Sequence, residues 1–202
     1  MKIIESADKE IWQKFKNGEN DALSLIYAEN SKRLYLYGLK ITSNRSVIED
    51  SIQDLFCDLV KSRGNLGDPD CIHSYLIQAF KRHLLRQLNK EKRYKLKNND
   101  EEYVFDITYS IEDDIILEEK SNRKAVLLRK ALNELTPRQK EAIYLKFTER
   151  LEYLQIAGIM EMSIEACRNL ICRAIKSLKD SCPIDSSVLF FLLRKCAPNK
   201  SH

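Results

Sequence analysis

The stretch that decides the fold is LEYLQIAGIMEMSIEACRNLICRAIKSL, from Leu151 to Leu178. Two patterns of helical spacing lie in it, separated by one short break. The apolar positions of the first pattern are Leu154, Ile156, Ala157, Ile159 and Met160. The second pattern begins at Ser163, and its apolar positions are Ala166, Cys167, Leu170, Ile171, Ala174, Ile175 and Leu178. Because such spacing predicts amphipathic helices, the stretch predicts a helix-turn-helix, and its second helix also carries basic side chains.

The composition favours an all-α protein. The chain has 202 residues, of which 44% are hydrophobic and 32% are charged. Its five glycines and four prolines are too few for an architecture rich in strands and tight turns. Since domains commonly have about 100–150 residues, the chain has room for one domain or two small ones.

The net charge of +4 is modest, but the charges are unevenly distributed. Basic residues dominate positions 81–97, where Glu91 is the acid among them: Lys81, Arg82, Arg86, Lys90, Lys92, Arg93, Lys95 and Lys97. Acids dominate the stretch that follows: Asp100, Glu101, Glu102, Asp106, Glu112, Asp113, Asp114, Glu118 and Glu119. A basic block can neutralise the phosphates of a nucleic acid, although a solvated helix end followed by a solvated linker has the same composition.

Several functional classes find no support in the sequence. Six cysteines without a C-x-x-C pair, and three histidines that are not arranged like zinc ligands, argue against a zinc site, so we expect free thiols and no metal or cofactor. No nucleophile–base pair and no glycine-rich phosphate loop suggests an enzyme. The first residues lack the apolar core of a signal peptide, and VLFFLL at 188–193 falls far short of the ~20 residues that span a bilayer. We therefore expect a cytoplasmic protein with no direct membrane insertion.

The order of the patterns predicts two helical domains joined by an acidic linker. The first, residues 1–94, includes a helix with the apolar stripe Ile48, Ile52, Leu55, Phe56, Leu59 and Val60, and another helix from about Cys71. The linker covers 95–121 and the second domain 122–181, where Thr136 is a predicted N-cap and Pro137 the first helical residue. An apolar tail follows at 182–202.

Several segments together resemble bacterial RNA polymerase sigma factors. Their promoter-reading C-terminal domain is similar to LTPRQKEAIYLKFTERLEYLQIAGIMEMSIEACRNLICRAIKSL (Leu135–Leu178), which includes a Tyr-x-x-Ile-Ala pattern from Tyr153. The helix by which they dock on core polymerase resembles SVIEDSIQDLFCDLV (Ser46–Val60), and the helix that reads the −10 element resembles SYLIQAFKRHLLRQLNKEKR (Ser74–Arg93). Two such domains without a third between them resemble the extracytoplasmic-function group, over roughly residues 10–180.

The resemblance implies roles for particular residues. Those expected to contact the −35 element are Arg168, Asn169, Cys172, Arg173 and Lys176. Those expected to contact the −10 element are Lys81, Arg82, Arg86, Lys90 and Arg93, whereas Tyr75 is interpreted as a packing residue. Those expected to face polymerase are Glu49, Asp50, Gln53 and Asp54, although the same residues also suit an ordinary solvated helix face.

The resemblance also implies partners, namely core RNA polymerase, promoter DNA and a membrane-anchored anti-sigma factor. In relatives the linker threads the polymerase channel, but a disordered spacer has the same composition. The tail packs on the second domain or docks an anti-sigma factor. Two other functions stay open: a free-standing helix-turn-helix regulator, and a sigma-like decoy that binds polymerase without opening a promoter.

Overall fold

The computed structural model describes residues 2–95, 105–106 and 130–181, and within the first range the side chains of 8–90. Throughout these ranges the regular secondary structure is helical, and the predicted all-α fold is confirmed. The chain divides into two compact units, Met1–Glu102 and Tyr103–His202. The division falls inside the predicted linker.

Four helices and one turn build the first unit. The helices are α1 (Lys2–Lys16), α2 (Asn20–Gly38), α3 (Arg45–Ser62) and α4 (Ile72–Lys95), and a 3₁₀ turn at Arg63–Asn65 follows α3. Each helix contributes apolar side chains to one core, among them Trp12, Leu34, Tyr37, Ile48, Leu55, Leu76, Phe80 and Leu84. Burying one large apolar side chain of this kind stabilises the folded state by about 1.5–3 kcal/mol.

Helix α1 holds the loop that leads into α4. The Trp12 indole N–H donates to the carbonyl oxygen of Gly67 at 2.8 Å, and the amide of Ile72 donates to the Asp8 carboxylate at 3.1 Å. The Asp68 carboxylate accepts from the Lys16 ammonium at 2.9 Å, and this hydrogen bond lowers the pKa of Asp68. The start of α4 is therefore positioned from α1 as well as from the core.

Three helices of the second unit are described in full, and a helical segment at 130–133 precedes them. They are α5 (Pro137–Ile143), α6 (Tyr153–Ile159) and α7 (Ile164–Ser181), and a π-helical turn at Tyr144–Thr148 follows α5. The predicted start of α5 is confirmed. The Thr136 hydroxyl accepts from the Gln139 amide at 3.3 Å, and the Gln139 side chain accepts from the Thr136 amide at 3.0 Å, which is a capping box.

Two residues of the predicted linker pack on the second unit. The side chain of Phe105 is fully buried, and its ring meets that of Tyr144 edge-on at 5.8 Å between centroids. Beside it, Asp106 accepts a hydrogen bond from the Lys140 ammonium at 2.9 Å. The rest of the linker beyond Lys95, and the predicted apolar tail at 182–202, lie outside the described residues.

Candidate nucleic-acid interface

Helices α6 and α7 form the predicted helix-turn-helix. After α6, Glu161 takes a left-handed conformation with φ of 52°, and the Met162 amide donates to the carbonyl oxygen of Ala157 at 3.0 Å. The Ser163 hydroxyl then accepts from the Ala166 amide at 3.1 Å and caps α7. A short turn of this kind brings the second helix across the first.

Helix α7 has one buried face and one exposed polar face. Cys167, Ile171, Ala174 and Leu178 are fully buried. All the residues predicted to contact the −35 element are exposed: Arg168, Asn169, Cys172, Arg173 and Lys176. Because α-helices repeat every 3.6 residues, these five positions fall together on the side away from the core. The structure thus assembles the predicted set on one open surface.

One apolar residue of the first helical pattern, Leu154, is exposed. Its side chain is 63% exposed, whereas Ile156, Ala157 and Met160 are buried. Leu154 lies two residues before Ile156, so its side chain points to the opposite side of α6. Leu154 is therefore an apolar position of the pattern that lies outside the core.

Tyr153, to which sequence reasoning assigned no role beyond the family pattern, contacts two cations. The Lys146 Nζ atom lies 4.5 Å from the centroid of its ring, and the Arg168 Cζ atom lies 5.5 Å from it. Lys146 also donates to the carbonyl oxygen of Leu151 at 3.1 Å. Such a contact has no signal in the sequence, because Tyr153 and Arg168 belong to different helices.

The basic residues of α4 form a second cluster. Arg82, Arg86 and Lys90 are exposed and follow one another at intervals of one helical turn, while Lys81 is half-buried. Arg93 lies in α4, but its side chain is outside the described ones. Tyr75 is half-buried with its ring 5.4 Å from that of Trp12, as a packing residue would be, and burial raises the pKa of its hydroxyl.

The predicted polymerase-facing residues of α3 are all exposed, and the structure divides them into two rows. Glu49 and Gln53 border a groove between α2 and α3. Asp50 and Asp54 lie one residue further round the helix, and the Asp54 carboxylate accepts from the Gln87 amide of α4 at 2.8 Å. The two rows therefore offer a partner different chemistry.

The groove between α2 and α3 has a volume of about 810 Å³. It is lined by Tyr27, Ser31, Lys32, Tyr35, Glu49, Ile52, Gln53, Phe56, Cys57, Val60 and Lys61. Tyr27 and Val60, 49% and 39% exposed, form part of its apolar wall. Val60 belongs to the apolar stripe predicted from the sequence, yet its side chain is partly open to solvent in the groove.

Other features of the described residues bear on function. No group of three or more His, Cys, Asp or Glu side chains is placed to hold a metal ion within the described ranges. Among the helices of those ranges, none is both long and apolar enough to cross a membrane.

Comparisons with known proteins agree with the resemblance. Residues 125–178 match the family model described as Sigma-70, region 4. The chain is 26% identical over 179 residues to the ECF RNA polymerase sigma factor BldN of Streptomyces coelicolor, a match that covers 88% of this chain and 66% of the relative. The chain thus spans slightly less than two thirds of the length of that relative.

Two solved structures share the fold. One is the sigma factor RpoE of Bartonella quintana in complex with the anti-sigma factor NepR, with a TM-score of 0.56 and 19% identity, covering 82% of this chain and 97% of that one. The other is CnrH in complex with the cytosolic domain of CnrY, with a TM-score of 0.55 and 14% identity, covering 86% and 96%. These structures show the fold that the chain shares with them, and the sequence matches show its similarity to bacterial sigma factors.

Proposed function

We propose that this chain is a transcription initiation factor that binds core RNA polymerase and directs it to promoters by recognising −10 and −35 elements. The observation that carries the proposal is the exposed face of α7, which presents Arg168, Asn169 and Arg173 together, opposite a face that is fully buried. Helix-turn-helix proteins place such a face in the major groove of DNA.

The chemistry of that face suits a base-reading role at the −35 element. An arginine such as Arg168 or Arg173 can pair with the O6 and N7 atoms of guanine, and Asn169 can pair with adenine. Lys176 lies further along the helix, where a cation would hold a phosphate and orient the protein without reading sequence.

The basic face of α4 suits the −10 element. Arg82, Arg86 and Lys90 lie at helical intervals on one exposed surface, as a surface that follows a nucleic-acid backbone requires. Arg93 follows Lys90 by three residues in the sequence, which is again close to one helical turn. The attachment of the α4 start to α1 would keep this surface in a constant position relative to the rest of the first unit.

The outer surface of α3 suits core polymerase. Glu49, Asp50 and Asp54 would attract a basic partner surface and steer its approach. Beside them, the groove with Tyr27 and Val60 offers exposed apolar area, and such areas on a protein surface commonly bind partners. We infer that polymerase docks across both the acidic rows and the groove.

The remaining parts of the proposal rest on the similarity to sigma factors. Sigma factors carry out no chemistry of their own, so we expect this chain to have no enzymatic activity and to work in the cytoplasm, where transcription takes place. RpoE of Bartonella quintana was solved with an anti-sigma factor, and we expect a partner of that kind here, anchored in the membrane.

The test is binding of the full chain to core RNA polymerase of its own source. Two paired variants separate the rows of α3: Glu49→Ala with Gln53→Ala, and Asp50→Ala with Asp54→Ala. We expect each pair to weaken binding about tenfold or more, that is, by about 1.4 kcal/mol or more. The matched control is Asp21→Ala with Glu29→Ala, which removes two exposed carboxylates from α2 outside the groove and should bind as the wild type does.

The outcomes distinguish the alternatives. A chain that fails to bind polymerase but binds duplex DNA alone would be a free-standing regulator, and the proposal would be wrong. A chain that binds polymerase but never supports promoter opening would be a decoy. Equal loss in the control pair would show that net charge, and not the α3 surface, determines binding.

A further inference from the structure

An aromatic ring of α6 contacts an arginine of α7 in the helix-turn-helix. Tyr153 is the first residue of α6, and Arg168 lies in the N-terminal half of α7. The Arg168 Cζ atom is 5.5 Å from the centroid of the Tyr153 ring, within the distance of about 6 Å at which a ring attracts a cation. The contact therefore joins residues on either side of the turn, and one of them, Arg168, is expected to contact DNA.

The ring is itself held in place. Tyr153 is half-buried, and the Glu152 amide just before it donates to the Gln155 side chain at 2.9 Å, which closes the start of α6. Lys146 lies 4.5 Å from the ring centroid, 3.5 Å from the Glu152 carboxylate and 3.1 Å from the carbonyl oxygen of Leu151. The backbone and an ion pair thus fix the surroundings of the ring, independently of Arg168.

Arg168, by contrast, is an exposed side chain on the open face of α7. A free arginine side chain has many rotamers, and fixing it on binding costs conformational entropy. A planar guanidinium stacks on aromatic faces in a way that the ammonium of lysine does not. Contact with an already fixed ring removes part of that freedom before any ligand binds.

We propose that Tyr153 is a positioning residue for −35 recognition: its ring holds the Arg168 guanidinium in place, and this increases both affinity and base preference at the position that Arg168 reads. The inference rests on the proposed function, because it assigns Tyr153 a part in the same DNA-binding surface. Tyr153 itself acts through Arg168.

The test compares two substitutions of one residue. Tyr153→Phe keeps the ring and removes the hydroxyl, whereas Tyr153→Leu removes the ring. The probe is a duplex selected from a random-sequence pool by the wild-type chain bound to its core polymerase, and affinity is measured with the same complex. We expect Tyr153→Leu to bind about two- to fivefold more weakly, as loss of a cation–π contact at an exposed site implies, and Tyr153→Phe to bind like the wild type.

A double-mutant cycle separates positioning from a general structural role. In the Arg168→Ala background, Tyr153→Leu should cause no further loss of affinity, and discrimination against the wrong base should already be reduced at one position. An equal loss in both backgrounds would overturn the inference, since Tyr153 would then act without Arg168. Tighter binding by Tyr153→Leu would also overturn it, because the ring would be withholding Arg168 from DNA.

A measurement without DNA distinguishes this inference from the function on which it rests. The ring current of Tyr153 should shift the Arg168 Nε–Hε resonance upfield in the wild type and in Tyr153→Phe, and the shift should vanish in Tyr153→Leu. The same resonance position in all three proteins would refute the contact itself. If the shift is present but the selection enriches no sequence, the proposed function fails, and the recognition role of Tyr153 fails with it.

Discussion

At the scale of single residues, position on a helix decides what a side chain can do. Among the residues that the structure describes, the free cysteines are Cys57, Cys71, Cys167 and Cys172. Cys172 lies on the open face of α7, and Cys57 lies in the groove beside α2. Cys167 is fully buried, five residues before Cys172, and burial raises the pKa of its thiol. One helix thus carries an exposed and a buried thiol.

The buried thiol predicts a pH dependence of stability. Because its pKa is raised in the folded protein, the Cys167 thiol ionises first in the unfolded chain, near its ordinary value of about 8.5. The contribution of the buried, protonated thiol to the free energy of unfolding is complete below that pH and is lost as the pH rises above it. We expect the free energy of unfolding to fall between pH 8 and 10 more steeply in the wild type than in Cys167→Ala, as measured by urea denaturation. Parallel pH profiles would contradict this.

At the scale of helices, close approach determines which residues are tolerated. Gly38 ends α2 where the helix meets α3 and α4. A β-carbon added there would lie 2.9 Å from Cγ2 of Ile48 and 3.1 Å from Cζ of Phe80, both of which are fully buried. Neither neighbour can move into solvent, so the three helices can pack this closely only because glycine has no β-carbon.

We therefore expect Gly38→Ala to destabilise the first unit by about 1–3 kcal/mol, the usual cost of overpacking a core. The matched control is Gly64→Ala, since a β-carbon at Gly64 meets no atom within 4 Å. That substitution should change stability by about 0.5 kcal/mol or less. Chemical denaturation measures the free energy of unfolding of both variants. If Gly38→Ala is as stable as Gly64→Ala, the three helices can move apart slightly without losing stability.

At the scale of the whole molecule, the candidate polymerase surface belongs to the first unit and the candidate −35 surface to the second. Cys57 and Cys172 report on them separately. In a variant with Cys182→Ser and Cys196→Ser, we expect core polymerase to slow the alkylation of Cys57, because docking would cover the groove. Addition of promoter DNA should then slow the alkylation of Cys172.

Mass spectrometry of timed alkylation reactions measures both rates, with Cys167 as the internal reference for unfolding. Protection of Cys57 by DNA alone would contradict the assignment of the groove to polymerase. Full reactivity of Cys172 in the complete complex would exclude α7 from the DNA interface.

Much of the fold follows from the sequence, because the period of a helix is local. The buried positions Ile48, Leu55, Ile171 and Leu178 lie on the faces that the apolar spacing predicts. The start of α5 at Thr136 and Pro137 was predictable for the same reason, since a cap depends on a few neighbouring residues. The exposed polar face of α7 lies opposite its buried apolar face, so the candidate DNA surface could also be predicted from the sequence.

Other features depend on how helices pack, which the period of one helix does not specify. Val60 lines the groove between α2 and α3 and is partly exposed, although it is apolar like its buried neighbours in the stripe. The contact of Tyr153 with Arg168 requires α6 and α7 to cross at one angle. Phe105 lies in a stretch whose composition predicts a linker, yet its ring is buried against Tyr144. The sequence by itself determined which helices form and which face of each is apolar; tertiary structure alone decided which faces meet, because those contacts join residues far apart along the chain.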